Sequence, residues 1–234
     1  WPAASSNVGS TSMLPLFIVG LPRSGSTLLE SILEAHASIS TTREDSALAA
    51  RAYSAAWRNM IKAHADNITA TMRQEAFIVT GTKSPKRIVD KLLTNYKHVG
   101  LIHLLFPKAI ILHIVRDPRD TVLSQMKHNF AHPSLGWTMR NDDMLGEYAQ
   151  YLDVMSHFKS VLPAGRIVDI KYEELVNKPE FVLRSIFSRI GVKWDSEVLT
   201  KFYKNERHYI LTPSFLQVRE KLNNQSIGIW KKYA

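Results

Sequence analysis

The sequence predicts an α/β fold, a doubly wound and mostly parallel sheet flanked by helices. Short apolar runs at residues 16–19, 77–79, 109–115 and 166–170 have the length and composition of buried strands. Stretches in which apolar residues recur at helical spacing separate these runs. Alternation of this kind is typical of sheets that bind ligands at the carboxyl ends of their strands.

The first half of the chain begins with a strand, a glycine-containing loop and a helix. The strand at residues 16–19 ends at Gly20, and apolar residues then recur at positions 28, 29, 32 and 33. Residues 44–72 are rich in alanine and predict one or two amphipathic helices. Pro85 predicts the start of another helix through Ile88, because proline is tolerated in a first turn.

The second half predicts three further helices. One follows Pro118, a long one covers residues 144–162, and the third begins at Tyr172 after the strand at 166–170. Residues 1–13 are rich in Ser, Ala, Gly and Thr and predict a flexible lead-in or a cloning remnant. We expect residues 14–234 to form one domain, since no linker interrupts them.

Composition narrows the class of partner. Thirty Lys and Arg residues against 21 Asp and Glu residues give a net charge of +9, which favours ligands rich in phosphate, sulfate or carboxylate. That charge suits a nucleotide enzyme and a nucleic-acid binder equally. The chain has no cysteine, which excludes disulfides, Cys-ligated zinc and a thiol nucleophile.

The apolar runs are all shorter than the roughly 18 to 20 residues that span a bilayer. We therefore expect a soluble domain with no membrane segment of its own. The cytoplasm is the favoured compartment, and the Golgi or secretory lumen stays open if an anchor precedes Trp1.

Residues 20–27 have the spacing of a phosphate-binding P-loop. The sequence Gly-Leu-Pro-Arg-Ser-Gly-Ser-Thr carries Ser26 where nucleotide hydrolases have lysine. Backbone N–H groups at the start of the following helix still offer an anion site. The missing lysine argues against ordinary ATP chemistry, in which that side chain reaches the β- and γ-phosphates. A plain glycine turn is the alternative interpretation.

A second phosphate motif follows the strand that ends at Val115. Arg116 and Ser124 lie about two helical turns apart, and a guanidinium with a hydroxyl can hold one phosphate. In the alternative interpretation Asp117 caps a helix, Pro118 occupies its first turn, and residues 119–120 are solvated charge. The capping role is compatible with a ligand-binding Arg116.

Residues 17–29 resemble the donor-binding loop of sulfotransferases that use 3′-phosphoadenosine 5′-phosphosulfate (PAPS). The core at 22–27 most resembles tyrosylprotein sulfotransferases and the bacterial-type sulfotransferases that follow tetratricopeptide repeats. The resemblance implies that Arg116 and Ser124 hold the 3′-phosphate of the donor. It implies that the 5′-phosphosulfate end is gripped by Arg23, Ser24, Gly25, Ser26 and Thr27.

Three later segments extend the resemblance. Tyr172 in residues 171–175 matches a family tyrosine that contacts the nucleotide, although a packing role is equally open. Residues 212–219 resemble a loop that covers the donor, which implies binding roles for Ser214, Gln217 and Arg219. Residues 226–230 resemble the family's closing segment, except that Ile229 stands where relatives have Arg or Lys. Whether Lys231 or Lys232 replaces that cation is open.

Sulfuryl transfer must manage one proton and one growing negative charge. The resemblance assigns Arg23 to the charge near the transferred group. It assigns Lys83, after the predicted strand at 77–79, to the leaving oxygen, and Glu44 to the acceptor proton. Asp45 and His36 are rival bases.

The resemblance implies an acceptor hydroxyl on a peptide tyrosine or a small phenol, with no nucleic-acid partner and a homodimer as the default assembly. We expect no metal, because the nine histidines are scattered without metal-ligand spacing. Two alternatives stay open. One is a P-loop kinase that uses ATP, and the other is a non-catalytic basic module for nucleic acid or acidic polysaccharide.

Overall fold

The computed structural model describes residues 9–43, 61–128, 133–204 and 219–233. In this part of the chain five strands form one sheet with the order β2-β3-β1-β4-β5, and every neighbouring pair is parallel. The strands are β1 (Pro15–Val19), β2 (Ile39–Arg43), β3 (Arg87–Asp90), β4 (Ile110–Val115) and β5 (Ile167–Lys171). The predicted α/β fold with a parallel sheet is confirmed.

Helices cover both faces of this sheet. They are α1 (Ser26–Glu34), α2 (Ile61–Thr80), α3 (Val99–Leu105), α4 (Pro118–Met126), α5 (Asn141–Val161), α6 (Tyr172–Asn177), α7 (Pro179–Ile190) and α8 (Val198–Lys201). Apolar residues of α2, α3 and α5 pack on one face, and those of α1, α6 and α7 on the other. Both layers contribute to the hydrophobic core.

Strand β1 is the centre of the sheet because both of its faces are covered. Leu16 and Ile18 pack on the α1 side, while Phe17 and Val19 pack on the α5 side, all with no exposed surface. Each fully buried side chain of this size contributes about 1.5–3 kcal/mol. The continuous apolar run therefore fixes the strand that leads into the phosphate loop.

The strand predicted at 77–79 is wrong, because those residues lie in α2. Phe77 is 47% exposed and Ile78 is 73% exposed, so the short apolar run does not enter the core. Helical spacing decides the structure here, since a buried face recurs every three or four residues. The residues of that face are Ala65, Ile68, Met72 and Ala76.

The helix predicted from Pro85 through Ile88 is also wrong. Ile88 and Val89 are fully buried in β3, where β-branched side chains pack well between two covered faces. Strand β2 was not predicted, because its sequence Ile-Ser-Thr-Thr-Arg carries little apolar signal. The predicted helices after Pro118 and from Tyr172 are confirmed as α4 and α6.

A buried polar network joins β4, β5 and α5. His113 Nδ1 lies 2.6 Å from Asp169 Oδ1, and His113 Nε2 is hydrogen-bonded to the Tyr151 hydroxyl. Burial lowers the pKa of His113 and raises the pKa of Tyr151. The hydrogen bond to His113 lowers the pKa of Asp169 to about 2. The network fixes strands β4 and β5 against α5.

Among the described residues, no helix combines the length and apolar character needed to cross a bilayer.

Candidate functional site

Several residues that the sequence singled out lie along one edge of the sheet, at the carboxyl ends of its strands. Because all five strands are parallel, their carboxyl ends share this edge. The phosphate loop follows β1, Arg116 follows β4 and Tyr172 follows β5. These three segments come together from distant parts of the sequence at one place.

The phosphate loop passes closely beneath Tyr172. Gly25, the N-cap of α1, has a φ of 103°, and a Cβ at this position would lie 2.4 Å from Cδ2 of Tyr172. Glycine is therefore required on both conformational and steric grounds. Helix α1 begins with the buried residues Ser26 and Thr27. Among the described residues, no side chain caps this end of the helix, where the first backbone N–H groups have no partner within the helix. This arrangement suits an anion.

Two buried polar atoms beside the loop have no hydrogen-bond partner among the described residues. They are Oγ of Ser24, whose side chain is 2% exposed, and Nε of Arg116. Leaving a buried donor unsatisfied costs about 1–3 kcal/mol. A ligand with acceptor oxygens removes that cost, so the two atoms indicate a binding site.

Positive charge is concentrated at the same place. Arg23 Nε donates to Ser124 Oγ at 3.0 Å, and Arg116 Nη1 donates to the Arg23 carbonyl at 2.9 Å. The Arg116 guanidinium carbon lies 4.7 Å from the centre of the Tyr172 ring. Burial and the charge of Arg116 lower the pKa of Arg23 to about 10. Two guanidinium groups held this close favour an anionic ligand.

Arg23 adopts an unusual backbone conformation, with a φ of 69°. A non-glycine residue in the left-handed region costs about 1–2 kcal/mol, so the surrounding structure must enforce it. The hydrogen bond from Arg116 to the Arg23 carbonyl is one such restraint. Strain of this kind clusters at ligand-binding loops.

A cavity of about 330 Å³ opens beside the loop, between the end of β4 and helix α5. Its volume lies within the range of small-molecule sites. Both unsatisfied atoms belong to residues of its wall, which includes Leu21, Ser24, Arg116, Tyr148, Tyr151 and Met155.

Lys83 does not reach this edge. It lies exposed in the connection between α2 and β3, before the amino end of β3. The prediction placed it after a strand at 77–79, and that strand does not exist. Lys83 therefore lies at the opposite edge of the sheet from the phosphate loop, and its predicted placement is wrong.

Lys91 occupies the position that Lys83 was expected to fill. It directly follows β3, is 1% exposed, and its Nζ lies 3.3 Å from Oε2 of Glu30 in α1. Thr41 of β2 donates to the other Glu30 oxygen at 2.6 Å. The sequence signal is a lysine immediately after the run Ile-Val-Asp, which becomes visible once β3 is recognised.

A family model described as a sulfotransferase family matches residues 15–196. The chain belongs to the sulfotransferase family. The resemblance of its phosphate loop and its Arg116 motif to sulfotransferases is thereby confirmed at the level of the family.

Curated relatives of this sulfotransferase-family chain include longer proteins. Protein-tyrosine sulfotransferase 2 of Gallus gallus is 27% identical over 202 residues, which cover 81% of this chain and 54% of that protein. An uncharacterized protein of Aquifex aeolicus is 29% identical over 242 residues, which cover 96% of this chain and 31% of that protein. The chain thus spans between about a third and a half of the length of these relatives.

Solved structures share the fold. The sulfotransferase domain of the Synechococcus PCC 7002 olefin synthase superposes with a TM-score of 0.65 at 20% identity, covering 97% of this chain and 90% of that one. Mouse sulfotransferase SULT7A1 complexed with PAP gives a TM-score of 0.58 at 18% identity, covering 98% and 84% of the two chains. At these identities the likeness concerns the fold alone.

The predicted site residues of this sulfotransferase-family chain that have not yet been placed are Glu44, Asp45, Ser214, Gln217, Arg219 and the rival base His36. Glu44, Asp45, Ser214 and Gln217 lie outside the described residues, while Arg219 is described and exposed. His36, the rival base, follows the end of α1, where its Nδ1 accepts the Ser38 N–H at 3.0 Å. Its ring lies 5.3 Å from that of Phe187, and burial lowers its pKa. These contacts give His36 a structural role just after α1.

The acidic residues of the Arg116 motif differ in their surroundings. Asp117 caps α4 as predicted, because its side chain accepts the Arg119 N–H at 2.9 Å. Arg119 is exposed, but the alternative interpretation of Asp120 as solvated charge is wrong, since Asp120 is 1% exposed. Lys231 and Lys232 are exposed beyond the closing segment. The burial of Asp120 therefore needs an explanation other than surface charge.

Proposed function

We propose that the chain transfers a sulfuryl group from PAPS to an acceptor hydroxyl, such as that of tyrosine or another phenol. One observation carries the proposal. The phosphate loop, Lys91, Arg116 and Tyr172 all follow parallel strands and meet at one edge of the sheet. Membership of the sulfotransferase family supports it.

The residues present fit both phosphate groups of the donor. The α1 N-terminus and the unsatisfied Ser24 hydroxyl suit the 5′-phosphosulfate end. Arg116 and Ser124, before and within α4, suit the 3′-phosphate. Arg23 touches both of them, so it links the two phosphate positions.

The donor supplies a sulfuryl group whose bond to a phosphate oxygen breaks as the acceptor oxygen bonds to sulfur. In this proposal Lys91 donates to the leaving phosphate oxygen, and Arg23 neutralises charge near the transferred group. The ion pair with Glu30 holds the Lys91 ammonium in place within the buried interior. Glu44, next in sequence after the last residue of β2, takes the acceptor proton.

Replacing Glu44 with glutamine is expected to abolish most turnover while leaving donor binding intact. Glutamine keeps the size of the side chain but cannot accept a proton, and general bases typically contribute about 10²–10⁴-fold. Initial rates and calorimetric binding of adenosine 3′,5′-bisphosphate (PAP) measure the two effects separately. Normal turnover would move the base to Asp45, to His36 or to the acceptor itself.

The proposed activity is tested by donor-dependent sulfation of tyrosine peptides, simple phenols, sugars and amines. We expect transfer to phenolic hydroxyls, with acidic peptides favoured because the chain carries a charge of +9. Binding of PAP and of ATP with magnesium is compared in parallel. Magnesium-dependent ATP binding without affinity for PAP would replace the sulfotransferase with a kinase.

A further inference from the structure

A buried carboxylate lies between the two residues assigned to the 3′-phosphate. Asp120 and Ser124 are four residues apart, which places them on one side of α4, and Arg116 lies two residues before the start of this helix. Asp120 and Ser124 are both buried on that side. A bare carboxylate here repels a phosphate, so its charge must be engaged elsewhere for the site to work.

Both oxygens of Asp120 accept hydrogen bonds from the segment at 226–230, which we call the closing segment. Oδ2 accepts the Gly228 N–H at 2.6 Å, and Oδ1 accepts the Trp230 N–H at 3.0 Å. Hydrogen bonds from backbone N–H groups to a carboxylate are among the stronger ones. Asp120 thus directs its negative charge towards the closing segment.

Two neighbours of Asp120 hold the same segment. Arg116 Nη2 donates to the carbonyl of Ser226, and the Arg119 guanidinium carbon lies 3.7 Å from the centre of the Trp230 ring. Three side chains on or before the first turn of α4, those of Arg116, Arg119 and Asp120, therefore contact the closing segment. Arg116 is fixed between the Arg23 carbonyl and the Ser226 carbonyl.

We propose that Asp120 is a positioning residue that fastens the closing segment to α4 and thereby completes the 3′-phosphate subsite around Arg116. The attachment uses backbone N–H groups of the closing segment, so it does not require a basic side chain at position 229. The inference rests on the proposed function, since it concerns the donor subsite.

The sign of one substitution separates this role from simple charge repulsion. If Asp120 only places negative charge near a phosphate, D120N removes repulsion and PAP binds more tightly. If Asp120 fastens the closing segment, D120N weakens two charge-assisted hydrogen bonds and PAP binds less tightly. The change in charge is the same in both cases.

The experiment measures binding of PAP and of adenosine 5′-monophosphate (AMP), which lacks the 3′-phosphate, to the wild-type chain, D120N and D142N. Asp142 is exposed in the first turn of α5 and provides a matched charge control. We expect D120N to bind PAP about tenfold to a hundredfold more weakly, with little change for AMP. D142N is expected to match the wild type. The KM for PAPS should rise in D120N far more than kcat falls.

Amide hydrogen exchange gives an independent readout of the attachment. The N–H groups of Gly228 and Trp230 are expected to exchange slowly in the wild-type chain and faster in D120N. If D120N does not fold, G228V loosens the same segment from its other side, because Gly228 has a φ of 70° that valine rarely adopts. The same selective loss of PAP binding is expected.

Equal or tighter PAP binding by D120N overturns the proposal, and so does an equal loss for PAP and AMP. Unchanged PAP affinity in a folded G228V chain, where that variant is used, also overturns it. Failure of the proposed function looks different, because the wild-type chain itself would then show no preference for PAP over AMP.

Discussion

Replacing Lys91 with methionine is expected to lower turnover about a hundredfold to a thousandfold, the usual effect of removing a donor to a developing oxyanion. Lys91 is a buried lysine at the carboxyl edge of the sheet, paired with Glu30 at 3.3 Å. Single-turnover rates with a phenolic acceptor measure the loss. PAP binding is expected to change little, because Arg116 and the phosphate loop stay intact.

The control for this prediction comes from the chain itself. K83M removes the same functional group at the opposite edge of the sheet and is expected to keep wild-type turnover. Because K91M removes the ion-pair partner of the buried Glu30 carboxylate, it also costs stability, by about 3–5 kcal/mol in comparable cases. The double variant E30Q/K91M removes that charge and keeps the comparison interpretable. Loss of turnover in K83M but not in K91M would return the role at the leaving oxygen to Lys83.

Replacing Arg116 with alanine is expected to weaken PAP binding by about a hundredfold, since hydrogen bonds to charged groups are worth about 1.5–3 kcal/mol. Arg116 also bonds the Arg23 and Ser226 carbonyls, so its loss loosens the phosphate loop and the closing segment together. R116K is expected to recover little, because an ammonium cannot reproduce the planar fork of a guanidinium. Titration calorimetry with PAP and AMP measures the effect.

A matched arginine separates this effect from loss of positive charge in general. Arg184 is exposed on α7 and pairs with Glu180 at 2.7 Å. R184A is therefore expected to bind PAP as the wild-type chain does. The assignment of Arg116 to the 3′-phosphate fails if R116A still prefers PAP to AMP as strongly as before.

The local structure of the phosphate loop and of the Arg116 motif was predictable from the sequence because its signals are continuous in the chain. The phosphate loop is a continuous run between a fully apolar strand and a leucine-rich helix. The Arg116 motif likewise joins β4 to a helix that begins with Asp117 as cap and Pro118 in its first turn. Such signals survive without knowledge of the tertiary fold.

The region of β2 and β3 was misassigned because these two strands carry little local signal. Strand β2 is mostly hydroxyl side chains, and β3 offers only four residues before Lys91. The apolar run at 77–79 was mistaken for a strand, which moved the expected edge of the sheet to Lys83. Only the pairing of β3 with β1 and β2 places Lys91 at the carboxyl ends of the strands.

The hydrogen bonds of Asp120 could not be predicted from the sequence, for a different reason. Its partners, Gly228 and Trp230, lie more than a hundred residues later in the chain. A carboxylate in the first turn of a helix is ordinarily solvated and favourable to the helix dipole. Only the long-range contact shows that this one is buried.

The strand order places the segments assigned to the nucleotide and the lysine assigned to the leaving oxygen on opposite sides of β1. With β1 at the centre, the segments assigned to the 3′-phosphate and nucleotide follow β4 and β5, and Lys91 follows β3 on the other side. Under the proposed function, substitutions after β2 and β3 are therefore expected to change the transfer step, while substitutions after β4 and β5 are expected to change the binding of the nucleotide.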